Sequence, residues 1–487
     1  MDPTTLNELA RAVAGEVMRG DPATAVGPDV VIDSRLATPG AVFIAFPGER
    51  VDGHEFVDAA RAGGAAVAIV TRPVDAGIPQ IRCGDAQEAL SALARDVVGR
   101  ARQGGLRTVA LTGSSGKTST KDLIAQVLEA AGPTVAPVGS FNNEIGVPLT
   151  ACRVTARTRY LVSEMGARGH GHIAWLCGIV PPGIAAVLNV GTAHLGEFGS
   201  IDDIAAAKGE IVEAVPAGGW AVLNAADPRV AAMASRTRAR IAWFSADGRP
   251  GLPGDVQVWA SGIEVDALAR PRFTLHVADG GAERAAPVAL RVLGRHAVAN
   301  ALAAAAVGIA AGLDPADIAG TLSSAGPRSR WRLELTERAD GVAVLNDTYN
   351  ANPDSMRAGL EALRDLGVAR RRAHPGARLV AVLGEMRELG PGAAAAHAAV
   401  GRMAAEAGVD RLVCLGPFAT DLAAGARSAD PPVATVDQAE DKSTVAALLA
   451  PYLRTGDAVL VKASRGAELD TVAADLLKGG GGECSQS

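Results

Sequence analysis

Residues 106–120, Leu-Arg-Thr-Val-Ala-Leu-Thr-Gly-Ser-Ser-Gly-Lys-Thr-Ser-Thr, pass from an apolar strand through a glycine turn into a helix that opens with a lysine and hydroxyls. That order suits a phosphate group. Backbone N–H groups between Gly113 and Thr118 can converge on an anion at a helix N-terminus, where the helix dipole adds favourable potential. In this reading Gly113, Ser114, Ser115, Gly116 and Ser119 shape the cradle, Lys117 reaches the outer phosphates of ATP, and the Thr118 hydroxyl binds Mg²⁺. Leu111 stands where the longer spacing of this motif has glycine, so the loop is the compressed form Gly-x-x-Gly-Lys-[Ser/Thr].

Three further residues extend the chemistry. Glu164 ends an apolar strand and precedes Met165-Gly166-Ala167, and His194 follows Asn189-Val190-Gly191-Thr192-Ala193 in a loop after another strand. Each reads either as a strand-end or loop residue or, with Thr118, as part of the oxygen-rich shell that Mg²⁺ prefers. Lys208 lies on the apolar stripe Ile201, Ile204, Ile211 and Val215 of the helix expected over 201–215. A bare ammonium there is costly. It either snorkels to the helix edge, or is a partly neutral amine that takes up CO₂ as a carbamate and becomes an anionic Mg²⁺ ligand. The chain has only six lysines beside 41 arginines, which gives lysine positions added weight.

The elements that must position these residues alternate strand and helix for most of the 487 residues, a length that implies two to four domains. Apolar runs repeatedly end in a polar residue: Glu164, Asn189, Asn224, Asn346-Asp347, Glu385 and Lys462. In open α/β sheets such strand ends face ligand clefts. Glycine pairs and composition shifts place boundaries near Gly104-Gly105 and Gly326-Pro327, giving units 1–104, 105–326 and 327–487. Residues 246–290, rich in Gly, Pro, Asp and β-formers, suggest a strand-rich insertion in the middle unit, and Gly479 to Ser487 a disordered tail. A net charge of −6 disfavours nucleic acid as partner, and five scattered cysteines disfavour a disulfide framework or zinc knuckle. Without a leader or an apolar run of about 18 residues, a monomeric cytoplasmic protein with no membrane insertion is expected.

These strings resemble the Mur ligase family, ATP-dependent amide-forming enzymes that build the peptidoglycan stem peptide. The resemblance is carried by Thr112 to Ser119, Asn142-Asn143-Glu144-Ile145-Gly146-Val147-Pro148, Ser163 to Ala167, Asn189 to His194, Ala207-Lys208-Gly209-Glu210, Gly294-Arg295-His296 with Asn300-Ala301, and Asn346 to Met356. The last string looks like the branch that adds D-alanyl-D-alanine to a UDP-N-acetylmuramoyl-tripeptide. Asp33-Ser34-Arg35, Gly48-Glu49-Arg50 and Asp52-Gly53-His54 resemble that branch's UDP-binding domain. The resemblance implies an α/β protein of three domains: a small N-terminal α/β domain, a central phosphate-loop domain with a mostly parallel sheet, and a C-terminal Rossmann-like domain.

It also implies roles. Glu164 and His194 would bind magnesium, at two sites, with Lys208 carbamylated. Asn300 would contact adenine with His296 nearby, Asp347 the ribose. Asn142 and Asn143 would hold the sugar nucleotide, Tyr349 and Asn350 the peptide, and Ser34, Arg35, Ser464 and Arg465 further substrate groups. Lys117, Lys208, His194 and Asp347 would be the catalytic set. Two departures stand out: Ala297 where relatives often have asparagine, and Ala463 where a glycine is usual, which weakens a role for the turn at 462–465 by close backbone approach. Arg332, beside Arg330 and Trp331, either crosses to the γ-phosphate or makes an interdomain salt bridge. Glu385 fits a substrate-amine contact or a helix cap.

Two alternatives remain at this level. Another Mur-type ligase, diaminopimelate-adding or folylpolyglutamate-type, is disfavoured in its first form by the absence of Asp-Asn-Pro-Arg. A phosphate-loop protein that binds UDP-muramoyl peptides without catalysis would be expected to lack the metal residues, yet Glu164, His194 and Lys208 all stand.

Overall fold

The computed structural model describes residues 1–48, 51–192 and 195–478. His194, Glu49, Arg50 and the tail from Gly479 lie outside the described residues. Four sheets organise the chain. A two-stranded ribbon pairs Thr4–Thr5 with Ala25–Val26, and a five-stranded sheet is built from segments between Glu16 and Arg82. A nine-stranded sheet and a six-stranded sheet follow, the latter built from segments between Glu334 and Lys462.

In the nine-stranded sheet, strand Arg107–Thr112 lies between Ile184–Val187 and Tyr160–Glu164, parallel to both. Its side chains alternate faces. Val109 and Leu111 join the core under helix His296–Ala310, and Ala110 joins the core on the other face. A strand covered on both faces reads as a continuous apolar run, which is why 107–112 is legible in sequence. The helix Lys117–Glu129 leaves this strand and packs on His296–Ala310, whose alanines permit close approach.

Residues 246–290 are strand-rich as expected, and they extend the central sheet rather than interrupting it as an insertion. Strands Val256–Val265, Pro271–Asp279 and Ala282–Ala289 continue the central sheet, the first parallel to Arg240–Ser245 and the other two added antiparallel. Trp259 and His276 stack across this edge with ring centroids 5.0 Å apart. The apolar side chains that alternate along these strands have a helix to cover, so tertiary packing recruits them into the sheet.

The N-terminal unit shares a core with the middle one. Helix Ala86–Gln103 turns Leu90, Leu93 and Val97 toward helices Gly146–Ala151 and His172–Ile179, and the apolar cluster is continuous across them. In the C-terminal sheet, Val344, Val459, Val380 and Val413 fill one face while Leu345, Leu460, Ala381 and Leu412 fill the other. Among the described residues no helix is long and apolar enough to cross a membrane. Cys83, Cys152, Cys177 and Cys414 are buried and unpaired.

Candidate active site

Gly116 adopts φ +77°, a left-handed conformation natural to glycine, and a Cβ there would lie 2.7 Å from Asn300 Oδ1. Both facts hold the loop close to helix His296–Ala310. Helix Lys117–Glu129 has no side-chain N-cap hydrogen bond, so its first-turn N–H groups point into the cleft without one. The cradle is narrower than expected from sequence. The N–H groups of Ser114 and Ser115 each donate to Asn189 Oδ1 at 2.9 Å, leaving the anion-facing donors to the residues from Gly116 onward. Asn189 thus shapes the loop from the next strand, while Lys117 Nζ donates to Gly113 O at 2.7 Å. Burial lowers the Lys117 ammonium from its ordinary value, and Arg332 adds to the shift while Glu164 opposes it.

Glu164 is fully buried behind this loop. Its Oε1 accepts from Asn142 Nδ2 at 2.8 Å, Ser140 Oγ at 2.9 Å and Thr118 Oγ1 at 3.4 Å. Its Oε2 has no hydrogen-bond partner among the described residues. A buried carboxylate oxygen beside a threonine hydroxyl is the donor set a hard cation takes, so these residues fit Mg²⁺. Among the described residues no three His, Cys, Asp or Glu side chains converge as a metal cage. Lys208, 3% exposed, does not snorkel. It has no ion-pair partner among the described residues, and its pKa falls well below 10.5, first through burial and then through the charge of Lys117.

The last domain closes over the loop. Arg332 Nη2 donates to Thr118 Oγ1 at 3.1 Å and the guanidinium lies 4.2 Å from the Tyr349 ring centre, a contact between domains made to a hydroxyl rather than to a carboxylate. Trp331 and Leu333, on either side, have φ +60° and +50°, backbone strain of about 1–3 kcal/mol each. Leu333 N–H donates to Asp347 Oδ1 at 3.3 Å, and Asp347 Oδ2 accepts from Lys462 Nζ at 2.6 Å. Gly196 N–H donates to Glu388 O at 3.2 Å where the two loops meet backbone to backbone.

Two cavities meet at the loop. One, of about 240 Å³, is lined by Gly116, Ser119, His296, Asn300, Asp347 and Lys462. The other, of about 340 Å³, is lined by Lys117, Thr118, Asn142, Asn143, Tyr349, Asn350, Ser464 and Arg465 among others, and Arg332 borders both. Ser34 and Arg35 border neither; Arg35 is exposed and paired with Asp33, whose carboxyl it holds down at about 2. Asn143 Oδ1 accepts from Gly146 N–H at 2.8 Å, a local turn contact.

Residues 29–97, 111–308 and 331–465 match, respectively, the Mur ligase family catalytic domain, the Mur ligase middle domain and the Mur ligase glutamate ligase domain. The chain is 46% identical to the UDP-N-acetylmuramoyl-tripeptide–D-alanyl-D-alanine ligase of Mycobacterium bovis, over 97% of each chain. The chain belongs to the Mur ligase family. A crystal structure of MurF from Acinetobacter baumannii superposes on this Mur ligase with a TM-score of 0.84 at 34% identity, covering 98% of this chain and 99% of that one. MurF ligase from Thermotoga maritima in complex with ADP gives 0.77 at 28% identity, over 93% and 97%.

Several features of this Mur ligase were not assigned from sequence. Asp354, at the start of helix Pro353–Ala373, lies with its carboxylate against Gly191 across the domain junction, and burial raises its pKa. Glu385, expected as a substrate-amine contact or a helix cap, does not cap a helix: its Oε1 accepts from Arg387 Nε at 2.7 Å. Ala463 is fully buried, its methyl against the position a Cβ on Gly384 would take, so it is a core residue rather than a ligand contact. His397, given no role from sequence, is buried and accepts the Met386 N–H at 2.9 Å.

Proposed function

We propose that this Mur ligase joins the amine of D-alanyl-D-alanine to the terminal carboxylate of UDP-N-acetylmuramoyl-tripeptide, driven by ATP, as an enzyme of peptidoglycan precursor synthesis. One observation carries the reading. Glu164 and Arg332 both reach the Thr118 hydroxyl at the wall of the larger cavity, and their buried Glu164 Oε2 and Arg332 Nε have no hydrogen-bond partner among the described residues. An orphaned carboxylate oxygen and an orphaned guanidinium N–H suit a cation and a phosphoryl group.

The carboxylate must first gain a leaving group. Its oxygen attacks the γ-phosphorus, the bond to the β–γ bridging oxygen breaks, and an acyl phosphate and ADP result; the dipeptide amine then attacks the carbonyl, phosphate departs and the amine loses a proton. In the first step two anions meet. The N–H groups of Gly116, Lys117, Thr118 and Ser119, with the Lys117 and Arg332 cations, hold and neutralise the phosphates. Thr118, Glu164 and His194 would hold Mg²⁺, with Lys208 as a carbamate supplying a further anionic oxygen; the metal would add charge neutralisation at the phosphates. Asn300, His296 and Asp347 line the nucleotide end, whereas Asn142, Asn143, Tyr349, Asn350, Ser464 and Arg465 hold the peptides, with Ser34 and Arg35 at the distant uridine end. Contact of the Gly196 and Gly390 loops excludes water from the acyl phosphate, and alignment of the amine can supply about 7–11 kcal/mol of barrier lowering. The domains are taken as 1–104, 105–326 and 327–487, acting as a monomer in the cytoplasm.

Purified protein supplied with ATP, Mg²⁺, tripeptide nucleotide and D-alanyl-D-alanine should release phosphate only when both peptide substrates are present. Phosphate release indifferent to the dipeptide would defeat the proposal.

A further inference from the structure

The segment 384–390, after strand Leu379–Leu383, reaches from the C-terminal domain to Gly196 of the middle one. Three contacts tie its backbone to the end of the neighbouring strand. Gly384 N–H donates to Lys462 O at 2.9 Å, Ser464 N–H to Glu385 O at 2.9 Å, and Arg387 N–H to Ser464 Oγ at 3.0 Å. A further contact goes to a side chain: Met386 N–H donates to His397 Nε2 at 2.9 Å. Beyond it the chain turns through Glu388 at φ +64° and Gly390 at φ +62°, and Glu388 O accepts from Gly196 N–H at 3.2 Å. A Cβ on Gly196 would lie 2.8 Å from Gly390 N, so that junction has no slack.

His397 is a fixed point for this segment. It is fully buried on helix Ala393–Glu406, its Nδ1 lies 2.7 Å from Ala393 O one turn earlier, and its ring stacks on Phe418 with centroids 4.3 Å apart. The helix packs so closely on the next, Ala419–Arg427, that a Cβ on Gly401 or Gly425 would overlap backbone of the other. The tautomer is fixed as well. A carbonyl only accepts and an amide N–H only donates, so Nδ1 carries the proton and Nε2 is the bare acceptor. Burial lowers the pKa of the ring and keeps it neutral, against the opposing pull of the Ala393 carbonyl, Asp421 and Glu385. An apolar side chain would fill the same space but leave the Met386 N–H buried without an acceptor.

We infer that His397 is a positioning residue for the ligation, holding segment 384–390 against Gly196 so that the acyl phosphate meets the amine and not water. The inference rests on the ligase reading above. When the segment lifts, water attacks the acyl carbon in place of the amine, the bond to the phosphate oxygen breaks, and carboxylate, hydrogen phosphate and a proton result. ATP is then consumed without an amide bond.

The test measures phosphate released in excess of amide bonds formed, with the full-length protein and both peptide substrates present. H397F, which keeps the stack and loses the acceptor, should raise that excess about three- to tenfold, the weight of one neutral hydrogen bond. H397Q, whose side-chain carbonyl can accept the Met386 N–H, should return it to within about twofold of the unmodified enzyme. A purely structural role lowers phosphate and amide together and leaves the excess unchanged. An unchanged excess in H397F, or H397Q as uncoupled as H397F, overturns the inference. Two measurements stand even where H397F does not fold. G196A, which forces the same junction from the other domain, should raise the excess, and nitrogen-15 NMR of the unmodified protein should show His397 protonated at Nδ1 alone. A fully coupled G196A or a proton on Nε2 overturns the inference too. Absence of any dipeptide-dependent amide product in the unmodified enzyme would instead remove the ligase reading, and the inference with it.

Discussion

Lys208 and Lys462 are both buried lysines beside the nucleotide cleft, one in each of the two large domains, and they differ in what surrounds the ammonium. Lys462 ends strand Ala458–Lys462 and is registered against Asp347 of the neighbouring strand, with further contacts to the Asn350 carbonyl at 2.9 Å. Lys208 has no such anion among the described residues. Burial lowers both pKa values; Asp347 opposes the shift at Lys462, whereas the Lys117 charge deepens it at Lys208. One ammonium is tolerated because the fold brings its counterion. The other has no counterion among the described residues, which is the cost that the proposed carbamate would remove.

The most severe break of this comparison is K462M, which strands Asp347 as a buried unpaired charge. It should lower unfolding free energy by about 3–5 kcal/mol, read from urea denaturation. K208A should do the reverse of what burial usually implies: turnover falls by about 10²- to 10³-fold while the melting temperature holds or rises, because a buried polar group with no ion-pair partner among the described residues has gone. A K208A protein as destabilised as K462M would mean that the two sites are alike after all.

The pH dependence sharpens the contrast. In CO₂-free buffer, between the lowered folded-state pKa of Lys208 and the unfolded value of 10.5, the unfolded chain binds more protons than the folded one. Stability of the unmodified protein relative to K208A should therefore rise with pH across that window and be flat below it. A difference that falls as pH rises would reverse the assignment.

The smallest expected effect is at the neighbour of Lys462. A463G should lower stability by about 0.5–1 kcal/mol without altering either substrate's KM, since the methyl packs in the sheet. A clear change in KM would restore the turn at 462–465 as a backbone contact.

The same pair shows what sequence could reveal. Lys208 is legible because an apolar helix stripe is a local pattern, and a lysine on it conflicts with its neighbours. The phosphate loop is legible for the same reason, spacing over a few residues. The Lys462–Asp347 pair spans 115 positions and exists only through the pairing of two parallel strands; the strand-end rule pointed both residues at a cleft but could not join them. Asn189 illustrates the same limit. Its place in a family string was visible, whereas its occupation of the Ser114 and Ser115 N–H groups depends on the approach of two strand ends. The strands from Val256 onward are legible as strands but not as part of the central sheet, because Gly and Pro between them look like punctuation and their partner helix lies elsewhere in the chain.

The most direct measurement is carbon-13 NMR of the protein equilibrated with labelled bicarbonate. The account predicts a carbamate carbonyl resonance in the unmodified enzyme that disappears in K208A. No such resonance in the unmodified enzyme, or one that survives in K208A, would contradict it.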